Sequence, residues 1–326
     1  MKKTTVKKLV ALALAVVLCV SLAGCAKINY VTNGTIQAIN EVKSGEYKNA
    51  GSEEGEKKEA TDDPVIDELT PGTYGGVKFE TLEDVAAYYK EAYDYTKSLT
   101  AEYIDADGNT QTFYKLVGDE DLQVGDVYID GSANAVINKL VPGIVSGMFK
   151  PNIYGLVPCY NRNPEMDNNK DDQFKKADHD FRTTEFSADD ILAANVKDNG
   201  DGTITMTIQP KQANMSTRGD DSQGRFFEVL GDISGVVGSI DVIKFEQGTA
   251  EENVLVNYRG GTGVITIDTK SKEIVAADYT MIANVSVNHA TVTVIKDKSA
   301  ELAITYINHF PASDESLMSA KQLKRK

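Results

Sequence analysis

The chain predicts an α+β fold, a twisted antiparallel β-meander with helices packed on its apolar face. Three observations carry that expectation. In the last third, strand-like runs alternate apolar and polar residues with period two. The links between those runs are short, and short links join antiparallel neighbours. Upstream, two wide apolar stripes containing glycine recur at helical spacing and are available to cover the apolar side of the sheet.

Taken in order, the chain opens with Lys2, Lys3, Lys7 and Lys8, then an apolar run from Leu9 to Val20, then Ala23 and Gly24 before Cys25. That order of charge, hydrophobe and small residue marks a secretory signal over 1–24, a processed segment outside the fold. An uncleaved membrane span needs about 20 apolar residues, and this run is shorter. The tetrad Leu22-Ala23-Gly24-Cys25 resembles the lipobox of bacterial lipoproteins. The resemblance implies diacylglycerol on the Cys25 thiol, cleavage before it, and a mature chain held on the cell membrane facing outside the cytoplasm. Two or more acyl chains suffice for stable anchoring, where one binds only marginally.

Residues 25–64 follow as a polar tether centred on Ser52-Glu53-Glu54-Gly55-Glu56-Lys57-Lys58-Glu59. So little apolar surface cannot repay the entropy of ordering. One domain over 65–312 comes next, with a subdomain junction near 187–225 as an alternative division, and then a basic tail over 313–326 ending Lys324-Arg325-Lys326. Roughly 250–265 residues are enough for a real core without disulfides. Cys19 leaves with the signal and Cys25 is acylated, so Cys159 has no partner in its own chain and reads as a small buried hydrophobe. The formal charge of −15 argues against nucleic acid as a partner and against electrostatic attraction to anionic headgroups.

Within the domain, Thr81 with Glu83 and Asp84 opens a helix whose stripe is Leu82, Val85, Tyr88, Tyr89, Ala92 and Tyr95. Strands Leu99 to Ile104 and Gln111 to Val117 are joined by Asp105-Ala106-Asp107-Gly108-Asn109, a turn rather than a calcium loop because the downstream Glu of an EF-hand is absent. The first glycine-containing stripe pairs Val136/Ile137, Leu140/Val141, Ile144/Val145 and Met148/Phe149, interrupted by Pro142-Gly143. A polar loop spans Asn161 to Thr184, after which Ser187 caps a short helix and Asp198 to Gly202 turns into the strand Thr203 to Gln209. The second stripe runs from Phe226 to Val237 through Leu230 and Ile233.

Six strands complete the chain, at Ile240 to Phe245, Val254 to Tyr258, Gly263 to Thr269, Glu273 to Val287, Ala290 to Lys296 and Glu301 to Asn308. Arg259-Gly260-Gly261 and Lys270-Ser271-Lys272 serve as turns. Alternation puts Ile265, Ile267, Tyr279, Met281, Val285, Val287, Leu302 and Ile304 on a dry side, and Thr266, Thr280, Asn284, Ser286 and Thr291 on a wet one. Lipobox, acidic tether and helices laid over a curved meander, with the hairpin Ile265-Thr266-Ile267-Asp268-Thr269-Lys270-Ser271-Lys272-Glu273-Ile274-Val275, are similar in outline to the half-barrel lipid-carrier lipoproteins. That likeness implies a greasy cavity under the helices.

Chemistry is sparse. His179, His289 and His309 show no metal-ligand spacing, and no cofactor or metal site is nominated. The crowd Asp167, Asp171, Asp172, Asp178 and Asp180 reads as a solvated loop. Arg218-Gly219-Asp220 resembles integrin-recognition tripeptides, which arise cheaply by chance. The expected role is non-catalytic: binding an apolar ligand between sheet and helices, lined by Val136, Leu140, Ile144, Met148, Phe226, Leu230 and Ile233. The competing readings are a surface interaction protein for a cell-wall polymer or exported partner, and an envelope enzyme, for which no residue constellation stands out.

Overall fold

The structure, a computed structural model, describes residues 63–133, 138, 153–155, 185–217, 219–231, 233–238, 243–292, 295–314, 317 and 324–325. Its framework is antiparallel sheet with few helices. In chain order the elements are β1 (Gly72–Tyr74), β2 (Val77–Phe79), α1 (Leu82–Ser98), β3 (Thr100–Ile104), β4 (Thr110–Tyr114), β5 (Val117–Ile129), β6 (Ser132–Ala133), β7 (Ile153–Gly155), β8 (Ile191–Asp198), β9 (Thr203–Pro210) and β10 (Ala213–Asn214). Then come α2 (Ser222–Phe226), α3 (Ser234–Gly238), β11 (Ile243–Phe245), α4 (Ala250–Asn253), β12 (Val254–Tyr258), β13 (Thr262–Asp268), β14 (Ile274–Val292), β15 (Ile295–Phe310) and β16 (Lys324–Arg325).

The main sheet runs β6-β5-β15-β14-β13-β9-β8, every neighbour antiparallel. β14 is its spine. One edge of β14 pairs with β15 from Ala277↔Phe310 to Val292↔Ile295. The other takes β13, β12 and β11 end to end, at Thr262↔Thr280, Tyr258↔Ala283 and Ile243↔Val292. The expected meander is therefore corrected at two links. Arg259-Gly260-Gly261 is a bulge between two strands on the same edge of β14, with the Arg259 N–H donating to the Ile282 carbonyl at 3.3 Å, and β12 does not turn back on β13. The strands expected at Glu273 to Val287, Ala290 to Lys296 and Glu301 to Asn308 are two long ones, because Asn288-His289 is a bulge within β14, His289 at φ 50°.

Bulges also explain what alternation missed. β5 buries Leu122, then Val127 and Ile129, its inward parity flipping where Gly125 and Asp126 interrupt the register with β15 between Leu302 and Ile304. β8 replaces the helix expected after Ser187. The cap holds, since Asp190 accepts the Ser187 N–H at 2.9 Å, but only one 3-10 turn (Ala188–Asp190) forms before the chain extends. Thr291, assigned to the wet side, is buried; its hydroxyl donates to Glu246 at 2.7 Å, on the chain that continues from β11.

α1 forms where its sequence signals place it. The Thr81 hydroxyl accepts the Asp84 N–H at 3.4 Å, and Asp84 accepts the N–H groups of Glu80 and Thr81 at 2.7 and 3.0 Å. Its buried stripe takes in Val85, Tyr88, Tyr89, Ala92 and Tyr93, whereas Tyr95 of the expected stripe stands 42% exposed. This helix is the principal described cover of the dry face: Tyr89 and Tyr279 share a buried hydroxyl contact of 2.9 Å, and the Ile274 N–H donates to Thr96 at 2.8 Å.

The second cover differs from expectation. Phe226 to Val237 is not one helix; α2 ends at Phe226 and α3 starts at Ser234, with Gly231 at φ 73° between them. Left-handed backbone there breaks the helical path. The first expected cover, 135–149, has only residue 138 among those described. Near the chain's end Leu317 is buried and Lys324–Arg325 joins β3, pairing Arg325 with Tyr103, so this part of the basic tail belongs to a small sheet.

Candidate functional site

Of the residues expected to line an apolar ligand, Val136, Leu140, Ile144 and Met148 lie outside the described residues, as do Cys25, Cys159, His179 and the 161–184 loop, except that residues just beyond begin at Glu185. Phe226, Leu230 and Ile233 are described, and the structure brings them together over the dry face. Phe226 and Ile233 are buried; Leu230 is partly so, its N–H donating to the Tyr258 hydroxyl at 3.1 Å.

The surroundings of Phe226 are protein. Its ring lies 4.8 Å from Phe186, 4.9 Å from Phe227, 5.2 Å from Tyr279 and 5.5 Å from Tyr89, centre to centre. Gly263 makes room for it: a Cβ at that position would lie 2.6 Å from the ring. The absence of a side chain on β13 thus creates a slot in the dry face, and Phe226 fills it. Burial holds the hydroxyls of Tyr89 and Tyr279 well above the ordinary tyrosine range, so the pair stays protonated.

The opposite face of the sheet carries short polar side chains in cross-strand rows. Thr266 lies beside Thr205, Thr280 beside Thr262, and Asn257 between Asn284 and Asn214. Its charged row is Asp119, His309 and Asp278, with His309 Nδ1 bonded to Asp278. His289 is held likewise through Nδ1 by Asp297 at 2.7 Å. Among the described residues no hydroxyl or thiol donates to either ring, so neither pair extends into a nucleophile relay. No group of three or more His, Cys, Asp or Glu side chains is placed to hold a metal among the described residues. Within the same residues no helix is long and apolar enough to cross a membrane.

No family model matches this chain, and no curated protein or solved structure matches it. Local geometry therefore carries the remaining assignments. The Asp105 carboxylate is saturated by its own loop, accepting from Gln111 at 2.7 Å and from the N–H groups of Asn109 and Asp107 at 2.8 and 3.0 Å. Those donors, Gln111 foremost, hold it below the usual carboxylate range and make the segment a turn. In the Arg218-Gly219-Asp220 tripeptide, Asp220 closes a turn on Thr217, its N–H donating to the Thr217 carbonyl at 3.2 Å and its carboxylate accepting the Thr217 hydroxyl.

That turn belongs to a pinned loop. Asp190, almost fully buried, accepts from Arg225 Nη1 at 2.8 Å and from the Ser222 hydroxyl at 3.0 Å, while Arg225 also donates to the Gly219 and Asp220 carbonyls. Sequence reasoning missed this pair, because its members lie 35 residues apart and carry no motif.

The approach of the tether was missed as well. Gln209, fully buried, accepts the Val65 N–H at 2.7 Å and donates to the Asp63 carbonyl at 3.3 Å; Asn195 donates to the Asp67 carbonyl at 3.0 Å. The first described residues thus lie across the polar face of β8 and β9.

Proposed function

We propose that this chain is a lipid-anchored lipoprotein of the cell envelope, facing outside the cytoplasm, with a non-catalytic binding role exercised through the polar face of its sheet. The reading rests first on the export segment ending in Cys25 and the polar stretch that follows. The observation that carries the choice of face is the filled slot at Gly263, where Phe226 and its neighbouring rings occupy the dry face beside β13. The face left to meet a partner carries cross-strand rows of Thr and Asn, suited to a polar component such as a wall polymer or an exported protein.

The tether supports the same arrangement. The stretch from Cys25 to Pro64 is polar and separates the anchor from a domain whose negative charge anionic headgroups would repel.

Two measurements test the reading. Cys25→Ala is expected to move the protein from the membrane to the soluble fraction, and intact mass of the mature protein is expected to show a diacylglycerol thioether at its first residue. Sedimentation with purified cell-wall material tests the partner. A membrane fractionation unchanged by Cys25→Ala refutes the anchor, and absence of wall binding together with no captured envelope protein refutes the binding role.

A further inference from the structure

Arg259 sits at the bulge that joins β12 to β13, two residues beyond Asn257 of the polar face. Its Nε is shut off from water and has no hydrogen-bond partner, and its guanidinium makes no ion pair among the described residues. In a chain of 49 acidic residues that is a notable omission, since the other described arginine side chain of the domain, Arg225, is fully engaged by Asp190 and two carbonyls. Asn257 Oδ1 is likewise enclosed and unpartnered, although the other end of the same amide donates to Asn214 at 2.7 Å. The row is continued by Asn284, whose amide donates to the Asn257 carbonyl at 3.4 Å.

An enclosed polar atom without a partner costs free energy, and such atoms are exceptional in folded chains. Here two of opposite kind, one cationic donor and one neutral acceptor, lie two residues apart, Asn257 in β12 and Arg259 in the bulge just beyond its end. Bulges re-aim side chains beside binding sites, and the Gly260-Gly261 pair permits this one: Gly260 has φ 73°, and a Cβ on Gly261 would lie 2.6 Å from the Thr280 carbonyl oxygen. Both residues are partly exposed, although these two atoms are enclosed.

We propose that Arg259 and Asn257, flanked by Asn214 and Asn284, form a binding site for an oxyanion that bears a neighbouring hydroxyl, as in a sugar acid or a polyol phosphate. Arg259 supplies the charge-assisted donor to the carboxylate or phosphate, and Asn257 Oδ1 accepts the hydroxyl proton. The proposal rests on the polar-face reading above and names its ligand chemistry.

The test uses the mature lipidated protein in detergent, titrated by calorimetry with glucuronate and with glycerol 3-phosphate, and with acetate, glucose and glycerol as controls. Glucuronate, glycerol 3-phosphate or both are expected to bind; the tighter of the two identifies a carboxylated or a phosphorylated source. Arg259→Gln is expected to weaken that binding at least about 10-fold, with Arg259→Lys intermediate because it keeps charge and loses the planar fork. Asn257→Ala is expected to reduce glucuronate to the affinity of acetate while the melting temperature stays near that of the parent. Binding of neither charged probe, equal binding of glucose or glycerol, or an Arg259→Gln variant that binds like the parent overturns the site. Wall sedimentation separates this from the wider reading: a parent chain that sediments with wall material while Arg259→Gln does so equally leaves the polar face standing and removes this site.

Discussion

The fit of Phe226 into the Gly263 slot gives a sharp prediction, because the two positions compensate one another. Gly263→Ala places a methyl 2.6 and 2.8 Å from two carbons of the Phe226 ring, inside van der Waals contact, and the ring is hemmed in by Phe186, Phe227, Tyr89 and Tyr279. Overpacking of this kind costs about 1–3 kcal/mol. Phe226→Ala alone removes a fully buried ring and is expected to cost about 3–5 kcal/mol. In the double variant the new methyl points into space the ring has left, so the clash with the ring vanishes and only a 3.2 Å approach to Ile265 Cδ1 remains. The double variant is therefore expected to be no less stable than Phe226→Ala, with a coupling of about 1–3 kcal/mol. Urea unfolding followed by tyrosine fluorescence and circular dichroism measures all four proteins. Strict additivity of the two losses would falsify the slot, as would a neutral Gly263→Ala.

Other expectations follow from the same geometry. Arg225→Ala strands the buried Asp190 carboxylate and is expected to destabilise by about 3–5 kcal/mol, whereas Arg225→Lys, which loses the fork, is expected to fall between the two on a urea titration. Tyr279→Phe leaves the buried Tyr89 hydroxyl without its partner, at a cost of about 1–3 kcal/mol, and adding Tyr89→Phe is expected to recover part of it. Four turn carboxylates are held below the usual range: Asp105 chiefly by Gln111, Asp198 by the Gly200 N–H, Asp201 by the Thr203 hydroxyl and Asp268 by the Ser271 N–H. Because the folded state lowers these values, the stability they add is present above the unfolded carboxylate range and is lost as pH falls below about 4. Asp268→Asn is expected to flatten the acid limb of a stability profile between pH 5 and 2, and an unchanged limb would count against the turn's contribution.

How much of this was legible in the sequence differs by element. α1 announced both its cap and its face, because Thr81, Glu83 and Asp84 act through local hydrogen bonds that need no tertiary partner. β12 was legible to the residue, and β13 nearly so, since uninterrupted alternation has a single reading. β5 was not, because the interruption at Gly125 and Asp126 sends Leu122 and Val127 inward on opposite parities, and its longest pairing, with β15, lies far along the chain. The Phe226 to Val237 stripe was legible as cover and illegible as shape: Phe226, Phe227, Val229, Ile233 and Val237 are buried, but packing against the Gly263 slot and the Tyr258 hydroxyl prevails over the weak helical preference of a glycine-containing run. Arg259 lay hidden in what read as a hairpin turn. Its significance is the absence of a partner, which only a folded chain can display.

The wide sequence separation across the sheet has a further consequence for how the chain assembles. Along most of its length β5 pairs with β15, and Tyr89 meets Tyr279 across 190 residues. Closing such loops is slow, and the first half has no complete layer to settle on until β14 and β15 have been made. During synthesis, the amino-terminal half must therefore wait with its greasy side uncovered, a window in which a holding chaperone has something to grip and after which it has nothing.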